Sequence, residues 1–454
     1  MLRAARLMSP TEPTPNPALD SARRKAFRRL LPVLFLSYVI AYVDRNNVAV
    51  AKLTMEKDLP GFDSAVFGLG MGMFFWGYWL LEIPGTLMVE RWSARKWICR
   101  IMVSWGFMAG LTAAVTTPTQ FYVVRFLLGL AEAGFFPGVI VYLTHWFTSR
   151  DRAKALSYFL IATPFAQVLS PKISNALLKI GTTEIVDGQS ITHPLVMGMT
   201  GWQWVYIFWA IPSVVLGVLV FFMLTDRPRQ AKWLTPEEQE ALEATLEEER
   251  SRVAKGKRMT LMEAILHPKV LLLALIYFCC VTGSYGIELF MPSILENWYK
   301  LNLNDLTWLI MLPPLLAVAG QLGMGWSSDR HKERRLHATL PMLLGSASLA
   351  LLPASRGHLA LTIVLLMLAF TGFKAYMPAF WALPSMLLTE SAAAASIGFI
   401  NSMGNLGGFL GPTILGFAQK TTGSYAGGLY YLSVSMFVAA CIVYRLGLGA
   451  KKPT

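Results

Sequence analysis

The sequence predicts an all-α polytopic membrane protein: twelve transmembrane helices in two six-helix halves. Three observations carry this expectation. Only 15% of the 454 residues are charged and 54% are hydrophobic, with a mean hydropathy of +0.48, whereas a soluble domain is about one quarter charged. Twelve apolar runs approach or exceed the roughly 20 residues that a helix needs to cross a bilayer core. A charged linker divides them six and six, and an acid–arginine pattern at Glu90-Arg91 recurs at Asp329-Arg330, 239 residues on. Internal duplication of this kind marks transporters built from repeats. These properties exclude an ordinary soluble enzyme, a disordered chain and a disulfide-stapled secreted domain. Cys99, Cys279, Cys280 and Cys441 all stand in apolar segments without metal-ligand spacing.

Residues 1–29 are rich in proline and arginine and read as a disordered basic tail. Span 1, at about 30–51, begins too late for a signal peptide, and no small-residue cleavage site follows it. Span 2, at about 65–89, closes on Glu90 and is followed by Arg91, Arg95, Lys96 and Arg100. Span 3 lies at about 97–116 and span 4 at about 120–146, the latter followed by Arg150, Arg152 and Lys154. Spans 5 and 6, at about 153–179 and 202–224, complete an N-terminal bundle over 30–224. The linker, 225–269, runs acidic then basic from Glu237 to Arg258. Span 7 lies at about 270–297 and span 8 at about 304–327, closing on Asp329, Arg330, Lys332, Arg334 and Arg335. Spans 9 to 12, at about 338–354, 358–388, 393–418 and 425–446, complete a C-terminal bundle over 270–447, with a short tail at 448–454.

On a soluble chain the net charge of +13 would suggest nucleic acid. Placed on twelve spans it becomes a topology signal. Thirty of the forty Lys and Arg fall on the side that holds both termini and the linker. The opposite side has Lys52, Lys57, Lys179, Lys300, Arg356 and Lys420. The positive-inside rule therefore puts both termini and the linker in the cytoplasm, and nucleic-acid binding is not expected. Four basic residues remain inside the membrane: Arg45, Arg125, Lys172 and Lys374.

The motifs then acquire a family resemblance. They include Tyr42-Val-Asp44-Arg45-Asn46-Asn47 in span 1, Glu82-Ile-Pro84 in span 2, and Arg125 through Gly129, Glu132, Gly134, Pro137 and Gly138 in span 4. Gly201-Trp-Gln-Trp204, Asp226-Arg227-Pro228 and Trp233-Leu-Thr-Pro236-Glu237 carry the match into the linker, and Phe380-Trp381-Ala-Leu-Pro384 and Asn401-Ser-Met-Gly404-Asn405 extend it through spans 10 and 11. Over nearly its whole length the chain resembles the major facilitator superfamily. Within it, the chain resembles the anion:cation symporters, which include permeases for tartrate, sugar acids, phthalate and hydroxyphenylacetate. Ser93 and Thr86 depart from the resemblance, standing where the superfamily's loop after span 2 usually has glycines.

A charge at the bilayer centre costs roughly 2.5–3.5 kcal/mol even on the lenient insertion scale, so such residues line polar cavities and pair with one another. Eight qualify: Asp44, Arg45, Glu82, Arg125, Glu132, Lys172, Glu288 and Lys374. Arg125 and Glu132 are seven residues apart, nearly one face of a helix at about 10.5 Å of rise. Gly129 between them leaves room for a ligand. Arg125 is expected to grip a substrate carboxylate by bidentate hydrogen bonds. Glu132 is expected to carry a proton, since a desolvated carboxylate favours its neutral form. A structural ion pair is the bland alternative. Asp44 and Arg45 point about 100° apart, so one can face the cavity while the other contacts a neighbouring helix. The resemblance implies a proton-coupling role for Asp44. Arg45 would then either hold the charge state of Asp44 or bind substrate, with a fixed inter-helix salt bridge as the alternative.

Lys172, Glu288 and Lys374 depart from the family pattern. At least one lysine is expected to read a second anionic group, which would make the substrate a dicarboxylate or polyfunctional acid, and Glu288 can pair with Lys374 across spans 7 and 10. Snorkelling to the interface is the alternative for the lysines. Asn401 and Asn405 share one face of span 11 and suit substrate hydrogen bonds or interhelical ones; Gln167 is similar. Tyr42 and Tyr78 are candidates for substrate hydrogen bonds, with packing as the alternative. Trp381 can stack on an aromatic substrate or serve structure. Glu82 reads as gate or packing. Glu90, Arg91, Asp329 and Arg330 are expected to gate one face by ion pairs.

The expected function is proton-coupled import of an organic anion by alternating access, without a metal or cofactor and with protons as the coupling ion. The expected setting is the inner, cytoplasmic membrane, and the expected state a monomer that partners only lipid, substrate and protons. Rivals are a uniporter or exchanger of the same fold and, more remotely, a membrane-embedded transferase. Span 5 lacks the glycine-rich run that the resemblance associates with antiporters. The six histidines are scattered without metal spacing, which disfavours the transferase.

Overall fold

The structure, a computed structural model, describes residues 16–186, 189–254, 263, 266–387 and 390–448. Span 1 is the helix Pro17–Asp58, span 2 Ser64–Arg91, span 3 Ala94–Leu111 and span 6 Gly201–Met223. Span 4 is two helices, Pro118–Glu132 and Phe135–Trp146, and span 5 is also two, Ser149–Leu160 and Ala162–Leu178. Span 7 is Pro268–Tyr299, span 8 Leu303–His331, span 9 Arg335–Leu351 and span 12 Ala426–Leu446. Span 10 breaks into Leu359–Ala375, Met377–Trp381 and Leu383–Leu387, around prolines that cannot continue the hydrogen-bond ladder. Span 11 is Glu390–Thr422. Ten of these spans are long and apolar enough to cross a bilayer. Spans 5 and 11 are more polar, and both pack against the opposite half, span 5 on span 8 and span 11 on span 2.

The packing repeats by a shift of six. In the first half span 2 packs on span 4, span 3 on span 6, and span 1 on spans 5 and 6. In the second half span 8 packs on span 10, span 9 on span 12, and span 7 on spans 11 and 12. The halves join through spans 2 and 11, 5 and 8, and 1 and 7, pairs that the same shift exchanges. The duplication read from Glu90-Arg91 and Asp329-Arg330 is therefore present in three dimensions. Small residues make the join close: a Cβ on Gly68 of span 2 would lie 2.5 Å from the Pro412 carbonyl oxygen of span 11.

The expected disordered tail needs correction. The tail is helical from Pro17, well before residue 30, because Asn16 caps the helix and Ala22, Ala26 and Leu30 form a buried stripe at i, i+4 spacing. Arg23 pairs there with Asp151, and Lys25 Nζ lies 2.8 Å from Glu238 of the linker. Residues 1–15 lie outside the described residues. The linker contains a helix, Pro236–Ala254, whose Leu242 and Leu246 are buried, and Trp233 before it stacks on Trp146 at 5.2 Å. Burial alone would raise the Glu238 carboxyl, but Lys25, the Ser21 hydroxyl and the Thr235 amide outweigh it and hold it at about 2. The expected all-α architecture holds, with one short addition: Thr183–Val186 and Gln189–Thr192 pair as an antiparallel hairpin in the loop between spans 5 and 6.

Candidate functional site

Span 1 presents Asp44 and Arg45 in different directions, as their spacing requires. Asp44 turns into the N-terminal bundle, where its Oδ2 accepts from Trp105 Nε1 at 2.8 Å and from Ser213 Oγ at 2.5 Å. Its Oδ1 is buried without a hydrogen-bond partner among the described residues. Arg45 turns to the junction of the halves. One arm donates to Glu132 Oε1, and the other donates to Tyr285 Oη of span 7 at 3.0 Å. The rings of Phe74 and Tyr78 lie 5.1 and 5.3 Å from its guanidinium carbon, so Tyr78 serves as an aromatic wall for Arg45. Arg45 thus pairs with Glu132, and Asp44 has other partners.

Glu132 owes its position to a broken helix. The first segment of span 4 ends at Glu132, Gly134 takes φ of +83°, and the helix restarts at Phe135. A β-carbon is strongly disfavoured in that left-handed region. Glu132 is buried, and its Oε2 has no hydrogen-bond partner among the described residues. Arg125 is buried seven residues earlier, its guanidinium carbon 5.3 Å from the Phe74 ring, with Nε and Nη1 lacking hydrogen-bond partners among the described residues. The ligand space expected beside Gly129 does not exist. A Cβ there would collide with the Phe74 carbonyl, because span 2 crosses span 4 at that point.

A second group lies one helical turn along span 7. Glu288 Oε1 accepts from Tyr42 Oη at 2.9 Å and from Gln167 Nε2, both on the first half. Lys374 Nζ of span 10 lies 3.7 Å from the same oxygen. The Glu288–Lys374 pair expected across spans 7 and 10 is present, and the first half closes over it. Tyr42, Arg45, Gln167, Glu288 and Lys374 thus gather where the halves meet, with Glu132 behind Arg45.

The other candidates fall elsewhere. Asn401 and Asn405 donate to the two oxygens of Glu82 at 2.6 and 2.9 Å, so this asparagine face binds a buried carboxylate of the opposite half. Lys172 is exposed and lies over Trp308 of span 8 at 5.1 Å. It stands two residues from both Ser170 and Ser174, whose face is buried, and two residues turn a helix by about 200°. Trp381 meets Tyr277 at 4.9 Å and Phe380 at 5.4 Å in an aromatic cluster. Asp329 pairs with Arg334 of its own half at 2.6 Å, and Arg330 lies over Trp326 at 5.2 Å. The Glu90 and Arg91 side chains lie outside the described residues.

One residue of the junction was not anticipated. Lys52, expected in the loop beyond span 1, is buried because the helix continues to Asp58. Its ammonium donates to Ser64 and, across the junction, to Ser293 of span 7 at 3.1 Å, with Glu56 3.3 Å away. Asp63–Lys420 at 3.0 Å and Asn175–Asn304 at 2.9 Å also join the halves at this end, remote from the linker. Only the length of the helix, which hydropathy places poorly, would have revealed Lys52.

The family model described as the Major Facilitator Superfamily matches residues 34–412. The chain belongs to this superfamily. It is a multi-pass membrane transporter and not an enzyme, which removes the transferase reading. The transporter is 40% identical to an Agrobacterium vitis protein provisionally named a tartrate transporter, over 94% of this chain and 92% of that one. It is 35% identical to a Pseudomonas putida protein provisionally named the metabolite transport protein NicT, over 92% of each chain. Among solved structures, a bacterial homologue of the human lysosomal transporter Spinster, inward-facing and unoccupied, superposes with a TM-score of 0.73 at 15% identity. That match covers 95% of this chain and 99% of the other.

Proposed function

We propose that this transporter imports an organic acid anion together with protons, by alternating exposure of the junction cluster to the two faces of the membrane. The observation that carries this reading is Arg45, a guanidinium of one half that holds Glu132 and reaches Tyr285 of the other. A substrate carboxylate is a bidentate match for that guanidinium and replaces Glu132 on it. Glu132, left buried without its cation, is then neutralised by a proton, since an uncompensated buried charge is costly. Substrate and proton are thereby tied to one site. Asp44, enclosed by Trp105 and Ser213 with a bare Oδ1, is the second proton carrier. The provisional names of the relatives support an organic acid as cargo.

In this reading both termini and the linker face the cytoplasm, in the inner membrane of a bacterium, and a single chain is the working unit. The contacts of Lys52, Asp63 and Asn175 then close the outer end. A potential supplies roughly 2.3 kcal/mol per net positive charge per 100 mV, so it drives uptake when protons outnumber the substrate's negative charges. The test is uptake of a labelled organic-acid panel into proteoliposomes, with the proton gradient and the potential imposed separately. Symport predicts accumulation against a gradient when protons are driven inward. Uptake that only equilibrates would establish a uniporter.

A further inference from the structure

Glu132 and Glu288, the two carboxylates of the cluster around Arg45 and Tyr285, are held differently. Among the described residues, Glu132 accepts a hydrogen bond from Arg45 alone, and its Oε2 is bare. Glu288 Oε1 accepts from two donors, the Tyr42 phenol and the Gln167 amide, and is ion-paired with the Lys374 ammonium at 3.7 Å. A phenol, an amide and an ammonium converging on one oxygen are what a site would present to a ligand carboxylate. They come from spans 1, 5 and 10, so both halves contribute. Tyr285, one turn before Glu288, receives Arg45, so the two subsites lie side by side along span 7. Displacing Glu132 from its subsite breaks one contact, whereas displacing Glu288 breaks three.

We propose that Glu288 is a resident carboxylate that fills the second anion subsite and thereby sets substrate class. Resting on the organic-acid reading, this assigns the transporter a substrate with one carboxylate, taken by Arg45, and hydroxyl or amine hydrogens facing Glu288. The second carboxylate of a diacid meets Glu288 with like charge and finds Lys374 already neutralised, so diacids are rejected by repulsion. Lys374 then balances an internal charge, in contrast to the diacid-reading role that its position in the sequence suggests.

Matched acids differing by one carboxylate test this: threonate with tartrate, an aldonic with its aldaric acid, and benzoate with phthalate. Uptake is measured in proteoliposomes for the wild type, Glu288→Gln, and Glu288→Gln combined with Lys374→Met. The wild type should take the monoacid of at least one pair ten-fold or more in preference to its diacid. Glu288→Gln should shift that ratio toward the diacid by at least ten-fold, and adding Lys374→Met should abolish the shift. A wild type that prefers the diacid overturns the assignment, as does a Glu288→Gln ratio within two-fold of wild type while monoacid uptake continues. If Glu288→Gln does not fold, competition on the wild type decides: a diacid that inhibits monoacid uptake as strongly as unlabelled monoacid overturns it, and inhibition at least ten-fold weaker supports it. No uptake of any acid by the wild type overturns the organic-acid reading itself and this assignment with it.

Discussion

Arg45 of span 1 donates to Tyr285 of span 7 across 3.0 Å, joining the two halves at the depth where the buried charges gather. Because the same guanidinium also holds Glu132, it senses its own half and the opposite half together. A hydrogen bond to a charged group contributes about 1.5–3 kcal/mol, roughly ten- to hundred-fold in affinity. Arg45→Ala is expected to lower uptake by about a hundred-fold. Arg45→Lys keeps the charge but loses the planar fork, so it should recover only a small part. Tyr285→Phe should cost about ten-fold, chiefly in KM. Initial uptake rates across substrate concentration check all three.

Asn401 and Asn405 clamp the two oxygens of Glu82 across the junction. Removing one amide from a buried carboxylate costs about 1–3 kcal/mol. Asn405→Ala should therefore lower the melting temperature in detergent and change the rate of transport while KM stays within about two-fold. Thermal melts and saturation curves separate this from a substrate-binding role, which would move KM.

Much of the architecture was legible because a bilayer makes strict demands. Twelve apolar runs and a basic side leave few alternatives for such a chain, and Asp44 next to Arg45 had to diverge on a helix. Apart from the Glu288–Lys374 pair, contacts between distant residues were not legible. Nothing local in span 11 indicates that Asn401 serves Glu82, 319 residues away. Regular helical spacing misled at Gly129, where close passage of span 2 requires the glycine, and it could not show that Lys172 faces outward. Lys52 was missed because hydropathy ends the helix before the backbone does.

Lys52 closes the end remote from the linker, through Ser293. Loss of one such hydrogen bond is worth about 1 kcal/mol, or roughly five-fold in an opening equilibrium. In a background lacking the native cysteines, Asn304→Cys should react with an impermeant thiol reagent about five-fold faster when Lys52→Met is added. Equal labelling rates would show that this contact does not hold the end shut.

The clamp between Lys25 and Glu238 has a defined pH window. Glu238 is held at about 2 in the folded chain, below its ordinary 4.5. A depressed carboxyl stabilises the fold above its ordinary value, and that contribution fades as pH falls toward the depressed one. The melting temperature of wild type should therefore exceed that of Glu238→Gln at pH 7 and the difference should shrink below about pH 4.5. Thermal melts of both proteins from pH 7 to pH 3.5 check this, and a difference that grows on acidification would contradict it.

In the proposed transport cycle, a proton and an acid anion exchange at Arg45 and Glu132. The direct measurement is labelled-acid transport by wild type and Glu132→Gln in proteoliposomes, under an inward proton gradient and, separately, as counterflow against internal unlabelled acid. The wild type should accumulate acid when protons are driven inward and should also show counterflow. Glu132→Gln should lose accumulation while keeping counterflow, because substrate still binds and crosses but no proton is tied to it. Accumulation by Glu132→Gln equal to wild type, or a wild type indifferent to the proton gradient, would contradict the account.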